Sequence, residues 1–168
     1  CDRYFNCRPL VVGKPETRLP VAPRVDQGTT VGPDRLVNTV AGFDRHGGDL
    51  IVVDFGTATT FDVISAGGEY LGGAIVPGIE VSLDALFGRA AALRRVELVE
   101  PRSVVGKTTV ESIQSGTIYG YSALVDGMCE RIEADVVGDA TVIATGGLAD
   151  LIAPVSEAIE HVEPWLTL

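Results

Sequence analysis

The stretch that most constrains this 168-residue sequence is its centre, residues 50–78. Leu50, Ile51, Val52 and Val53 form an unbroken apolar run that ends on Asp54. That is the pattern of a strand buried on both faces. Phe55, Gly56 and Thr57 supply a turn, and residues 59–65, rich in β-branched side chains, read as a second strand. Gly67 and Gly68 make another tight turn, and residues 70–75 read as a third strand closed by Pro77 and Gly78. The three strands are predicted to form an antiparallel meander.

The flanks are mostly helical. Residues 9–12 read as a short buried strand, and residues 13–31, with Pro15, Pro20 and Pro23, as a long irregular connection. Such a length without regular structure is expected where it serves a site or an interface. A helix is predicted from Asp34, with Leu36, Val37, Val40 and Ala41 on one face and a stop at Gly47 and Gly48. Helices are also predicted over 79–93, with Val81, Leu83, Leu86 and Ala90 at helical spacing, and over 109–134. Gly116 and Gly120 inside the latter cost about 1 kcal/mol each relative to Ala, so close helix packing is expected there. A strand over 141–145 ends in Gly146 and Gly147, and a further helix follows from Leu148. The order is that of a mixed α/β domain with helices covering a sheet.

Composition narrows the function. With 46% hydrophobic and 21% charged residues the chain can build a sizeable core. Its net charge of −10 argues against nucleic acid, which needs a basic surface, and against anionic membranes. ATP stays open, because backbone N–H groups and a cation can hold its phosphates. No apolar run approaches the roughly 20 residues that span a bilayer, and no signal peptide is evident. Cys1, Cys7 and Cys129 have no metal-ligand spacing and are odd in number, which argues against a disulfide framework. By elimination the expected location is the cytoplasm. The sequence opens on Cys1 and ends at Leu168, and both ends are expected to cut through structured sequence.

Four segments can carry chemistry. In Asp54-Phe55-Gly56-Thr57-Ala58-Thr59-Thr60 a carboxylate at a strand end meets a glycine turn and three hydroxyls. Backbone N–H groups at Gly56 and the hydroxyls of Thr57, Thr59 and Thr60 can face phosphate, and Asp54 can hold a cation. A plain hairpin with an Asp-initiated turn explains the same residues. In Gly32-Pro33-Asp34-Arg35, Asp34 is either the cap of the following helix or part of a polar-substrate site with Arg35. Gly106-Lys107-Thr108 matches the end of a P-loop, but the motif needs glycine at position 101 and the chain has Pro101. A helix start capped by Thr108 or Thr109 is expected instead. Ala144-Thr145-Gly146-Gly147 can let a nucleotide approach the backbone or can simply join strand to helix. His46 and His161 lack metal partners and are expected at the surface, and Trp165 is expected to pack.

Taken together, Gly32-x-Asp34-Arg35, Asp54-x-Gly56-Thr57, the segment 72–78 and Thr109-x-Glu111-Ser112 through Gly116 resemble the type III pantothenate kinase family in order and spacing. The strand-Asp-x-Gly-Thr-strand-Gly-Gly-strand block is similar to the opening of each half of the actin, hexokinase and heat-shock chaperone superfamily. The resemblance implies an actin-like (ribonuclease H-like) α/β fold, a mixed sheet flanked by helices. Residues 1–47 would be the remainder of a first half and 48–168 most of a second.

It further implies an ATP-dependent kinase that phosphorylates pantothenate, an early step towards coenzyme A. Asp34 would accept the proton of the pantothenate hydroxyl, and Gly32, Pro33, Arg35 and Thr109 would line the substrate site. Asp54 would bind the potassium or ammonium ion that the family requires, Gly56 and Thr57 would contact ATP, and Mg2+ would ride on its phosphates. A homodimer is implied, with the segment before Gly32 near its interface.

Three departures accompany the resemblance. Val25 stands where the family has a substrate-contacting tyrosine, and Pro33 replaces a small residue. The family's Asp-x-Gly-Asn-Thr loop does not occur, so this chain alone is expected not to turn over ATP. A regulatory homologue serving transcription, another small-molecule kinase of the superfamily and a non-enzymatic domain are the competing readings.

Overall fold

A computed structural model of the protein describes residues 4, 6, 7, 10–14, 17, 19–26, 30–90 and 92–168. The meander is present: β2 (Leu50–Phe55), β3 (Ala58–Ile64) and β4 (Glu69–Pro77) pair antiparallel in sequence order. Gly68 closes the second hairpin with φ +75°, a value that suits glycine. On the other side of β2 lies β5 (Thr141–Thr145), parallel to it, and beyond that the two-residue β6 (His161–Val162). The short β1 (Ala22–Pro23) pairs parallel with the far edge of β4. The sheet order is β1-β4-β3-β2-β5-β6. A meander extended by parallel strands, with helices on both faces, is the actin-like architecture expected from the sequence.

β2 is the centre of this sheet, and side-chain alternation sends its residues to opposite faces. Ile51, Val53 and Phe55 join Phe61, Ile79, Val142 and Ala144 in a core covered by α3 (Thr109–Ile132), through Val125 and Cys129. Leu50 and Val52, with Ile64, Ile143 and Leu166, face the other way, against Ala41 and Phe43 of α1 (Pro33–His46). By the same parity Asp54 belongs to the α1 face, and so do Thr60 and Asp62, which pair across β3 with Asp54 and Val52. Gly42 lets α1 lie close, since a Cβ there would stand 2.9 Å from Leu50 Cδ2.

Several expectations give way. Leu10 and Val11 are exposed and outside any strand, while Val21, just before β1, is the buried residue of this region. Pro9, Pro15 and Cys1 lie outside the described residues. The buried face of α1 is Leu36, Asn38, Thr39 and Gly42, with Val37, Val40 and Ala41 half-buried, so the helix packs through polar groups rather than the predicted valines. The helix predicted over 79–93 is α2 (Ile79–Arg89) and ends earlier. Of its residues only Ile79 is buried, and Val81 and Leu86 are exposed, so little packing supports a further turn.

The long helix is as predicted and runs on through a π-helical turn (Glu133–Val137) that Gly138 closes. Its glycines are not packing contacts, because Cβ atoms at Gly116, Gly120 and Gly127 would meet nothing within 4 Å. The last helix, α4 (Ala149–Ile152), is a single turn continued by a 3-10 turn (Ala153–Val155). Trp165 is exposed and its neighbour Leu166 fills the core instead. His46 is not an isolated surface residue: its ring stacks on His161 at 5.0 Å and its Nε2 lies 3.0 Å from Glu163. Cys7 and Cys129 are free thiols, and burial pushes Cys129 up to about 12, helped by Glu133 and Asp126.

Candidate functional site

The polar face of α1 and the strand ends opposite it form the site. Gly32 is the N-cap residue of α1 and Pro33 sits in its first turn, where a missing N–H costs nothing. Asp34 is therefore inside the helix rather than its cap, and no side chain caps this terminus. Its carboxylate is exposed and folds back over Gly32, where a Cβ would stand 2.5 Å from Oδ1. One turn further, Asn38 lies on the same side of the helix. Asn38 is fully buried, and its Nδ2 donates to Asp54 Oδ2 at 2.9 Å.

Asp54 ends the central strand opposite Thr60 on β3 and Thr145 on β5. Burial raises its pKa; the Asn38 hydrogen bond opposes that, and the charges of Asp34 and Asp62 add to it. Its second oxygen, Oδ1, faces a notch bounded by two glycines. A Cβ on Gly146 would lie 2.7 Å from Oδ1 and 2.6 Å from Phe55 O, and one on Gly56 3.7 Å from Oδ1. Gly146 also has φ +93°, so conformation and space both demand glycine. The turn Ala144-Thr145-Gly146-Gly147 thus meets the Asp54 turn at the C-terminal ends of the paired strands β5 and β2.

The hydroxyls flanking Asp54 divide. Thr57 is exposed beside the notch. Thr59 is fully buried on the opposite face, with no hydrogen-bond partner among the described residues, and Thr60 donates to Asp62 at 3.3 Å. Thr59 is shut away from the notch and Thr60 is engaged by Asp62, so neither presents a donor there as the sequence suggested. The Gly56 N–H is likewise engaged, donating to Ala58 O within the hairpin. Gly78 N donates to Thr57 O, and a Cβ at Gly78 would lie 2.3 Å from that oxygen, so this glycine lets β4 close over the turn.

Arg35 belongs to a cluster that sequence inspection missed. Asp62 is buried at 0% exposure in the middle of β3, accepts from Arg35 Nε at 2.8 Å and Tyr70 Oη at 2.9 Å, and forms an ion pair with Arg35 Nη2 at 2.7 Å. Burial pushes Asp62 up, against the pull of Arg35, Tyr70 and Thr60. Burial and the Asp62 charge push Tyr70 up as well. The signal was an aspartate inside an otherwise apolar strand with an arginine on the neighbouring helix.

Gly73 makes room for the guanidinium, since a Cβ there would lie 2.8 Å from Arg35 Nη2 and would strike Phe61 O. Nη1 has no partner among the described residues, and Arg35 lines a cleft of about 360 Å3 with Val25, Thr30, Tyr70, Gly72 and Gly73.

Asp34, Asp54, Gly56 and Thr57 therefore lie where the start of α1 meets the ends of β2 and β5, while the Arg35 guanidinium turns to Asp62 and the cleft beside β4. Thr109 stands apart. It lines a separate apolar cleft between α2 and α3, with Ser82, Leu83, Leu86, Ile113 and Tyr121, which shares no lining residue with the cleft at Arg35. The P-loop look-alike is a helix start: Thr108 Oγ1 accepts from Glu111 N, and Glu111 reaches back to Thr108 N in a capping box. Among the described residues no group of three His, Cys, Asp or Glu can hold a metal alone. No helix among them is long and apolar enough to cross a membrane.

Comparison with known proteins gives the family. The chain resembles a type III pantothenate kinase of Cereibacter sphaeroides (strain ATCC 17029), 60% identical over 168 residues, all of this chain and 65% of that protein. One from Ruegeria sp. (strain TM1040) is 58% identical over 167 residues, 99% of this chain and 64% of that protein. The chain thus spans about 65% of the length of these curated relatives. Among solved structures, a protein of Campylobacter jejuni assigned to the Baf family of transcriptional activators aligns with TM-score 0.54. It is 19% identical, covers 87% of this chain and 63% of its own, and shows the shared fold. The family model of type III pantothenate kinase matches residues 1–131, and the chain belongs to that family.

Proposed function

We propose that the protein carrying this chain is a pantothenate kinase, which transfers a phosphoryl group from ATP to the hydroxyl of pantothenate and gives 4'-phosphopantothenate for coenzyme A synthesis. The observation that carries this reading is the family match over residues 1–131, joined to a site in which Asp34 opens α1 and Asn38, four residues on, ties that helix to Asp54 near the end of β2. A bound cation would offset the charge that a half-buried carboxylate such as Asp54 carries when ionised. The donor chemistry suits such an ion: Asp54 Oδ1 has no hydrogen bond among the described residues, and the glycines at 56 and 146 put no side chain beside it.

In this reading ATP supplies the phosphoryl group, and Mg2+ with potassium or ammonium neutralises its phosphates. The chain's own residues position the rest. Asp34, exposed at the helix start and without an ion-pair partner among the described residues, orients the pantothenate hydroxyl and takes its proton as the bond to phosphorus forms. Gly32 and Pro33 hold the backbone that aims it. Asp54 holds the monovalent cation, and Gly56 and Thr57 border the phosphates.

Arg35, fixed by Asp62 and Tyr70, offers Nη1 to the pantothenate carboxylate from the cleft it shares with Val25. Thr109 lines the separate cleft between α2 and α3, so in this proposal it would reach pantothenate from the other subunit of the homodimer. A cytoplasmic homodimer, with the segment before Gly32 near its interface, belongs to the same proposal.

The test is a coupled ATP-turnover assay on the intact protein with pantothenate, magnesium and potassium, against Asp34→Asn. The expected result is turnover that needs both pantothenate and potassium and falls by about 10²–10⁴ in the variant. The fold should be unaffected, because Asp34 is exposed. No turnover by a folded intact protein would remove the kinase reading and leave the regulatory homologue in its place.

A further inference from the structure

We infer that Asn38 is a positioning residue that divides the Asp54 carboxylate into one held and one working oxygen, and that the hydroxyl of Thr167 holds the Asn38 amide in place by donating to its oxygen. The inference rests on the reading of Asp54 as a cation holder. It starts from a residue out of place. Asn38 lies in the interior of a 14-residue helix, at 0% exposure, where an apolar side chain would pack against Leu50 and Val52 without cost. Asparagine is a poor helix former, and a buried amide is unfavourable unless its partners are all present.

They are present on both sides. Nδ2 donates to Asp54 Oδ2 at 2.9 Å, and Oδ1 accepts from Thr167 Oγ1 at 2.7 Å. The two ends of an amide are nearly the same size, so its direction is decided by what each end meets. The carboxylate of Asp54, which only accepts, fixes Nδ2 on its side, and the Thr167 hydroxyl, able to donate or accept, meets the oxygen that is left by donating to it. Reversed, the Asn38 oxygen would face the Asp54 oxygen.

The consequence falls on Asp54. With Oδ2 tied to Asn38, the carboxylate plane is fixed and Oδ1 points into the notch at Gly56 and Gly146. Asn38 follows Asp34 by one helical turn, so the same bond sets the spacing between the start of α1 and the end of β2. Thr167 sits beside Leu166, which is buried in the same core as Val52, so the donor is anchored by packing and not by a free tail. Ligands of a metal ion are commonly oriented by such an outer partner, whose loss costs about 10–100-fold in affinity.

The experiment uses the intact protein and three variants: Thr167→Val, which keeps the shape and removes the donor, Thr167→Ser, which restores it, and Asn38→Leu. Two readouts are taken. One is the side-chain amide signal of Asn38 in a proton–nitrogen NMR spectrum. The other is the potassium concentration at the midpoint of the ion-dependent rise in melting temperature, against choline chloride at equal ionic strength.

The expected result is that Thr167→Val shifts the Asn38 amide signal and raises the potassium midpoint about tenfold or more, while Thr167→Ser matches the parent. Asn38→Leu, if folded, should raise the midpoint at least as far. An unmoved amide signal, or a moved one with an unchanged potassium midpoint, overturns the inference. So does a parent protein with no potassium-specific shift. Turnover is read separately, so a protein that binds potassium through this relay and phosphorylates nothing would remove the kinase reading and leave the relay standing.

Discussion

The two faces of one sheet are built on opposite principles. On the α3 side, Ile51, Val53 and Phe55 meet Val125, Cys129 and Ile152 in a dry apolar layer. On the α1 side the same strands present Asp54, Thr60 and Asp62 to Arg35, Asn38 and Thr39, and apolar contacts are confined to the far end around Leu50 and Leu166. The first face gains its stability from burial, at roughly 25 cal/mol per Å2 of apolar surface. The second buries charges and amides that are favourable only when each is paired. A protein carries such a face when the groups are needed for something other than holding the chain together.

The sharpest way to break the contrast is to unpair its most buried charge. Arg35→Met leaves Asp62 at 0% exposure with Tyr70 and Thr60 as its remaining donors. Removing one partner of a buried pair costs about 3–5 kcal/mol, so urea denaturation of this variant should show a loss in that range. The double variant Arg35→Met with Asp62→Leu should recover most of it, since an apolar pair needs no compensation. A single variant that loses less than the 0.5 kcal/mol typical of surface changes would show that the pair is solvated and the contrast overstated.

The opposite manipulation works on the dry face, where one polar atom is misplaced. Thr59 Oγ1 is buried without a hydrogen-bond partner among the described residues. Thr59→Val removes the hydroxyl and keeps the shape, and it is expected to stabilise the protein by about 1–2 kcal/mol with no change in ligand binding. Equal stability in denaturation would mean that the hydroxyl finds water or a partner. A loss of ATP affinity would restore it to the phosphate site.

How much of this was legible in the sequence follows the same division. Strands announced by apolar runs and glycine turns, β2 to β4, were readable because burial on a sheet face writes a short, local pattern. The Asp54-x-Gly56-Thr57 and Asp34-Arg35 segments were readable because the residue types themselves are chemically unusual at strand and helix ends. What could not be read was pairing over distance. Asp62 with Arg35 spans 27 residues and Asn38 with Thr167 spans 129, and neither leaves a periodic trace. The predicted valine face of α1 failed for the same reason, because the helix turned its polar residues inward to partners the local pattern does not contain. Val81 and Leu86 mislead in the other direction, since helical spacing of apolar residues says nothing about whether a partner surface is there.

The smallest expected effect tests the contrast most directly, because it sets stability against binding at one atom. Burial raises Asp54 above its ordinary 3.8, and the charges of Asp34 and Asp62 push the same way, so the ionised side chain is held at a cost to the fold. An acid whose folded pKa is raised lends full stability only below its ordinary value, and that contribution is lost as pH rises through the folded value. Asp54→Asn removes this dependence and leaves an amide oxygen to accept from Asn38. Its melting temperature at pH 7 should therefore rise by about 2–4 °C, the shift that roughly 1 kcal/mol produces in a domain of this size. The gain should shrink as pH falls towards the ordinary carboxylate value, where the parent is itself protonated. Potassium should then give no specific stabilisation to the variant. A lower melting temperature at pH 7 would mean that Asp54 is held by more than Asn38, and the polar face would count as part of the scaffold.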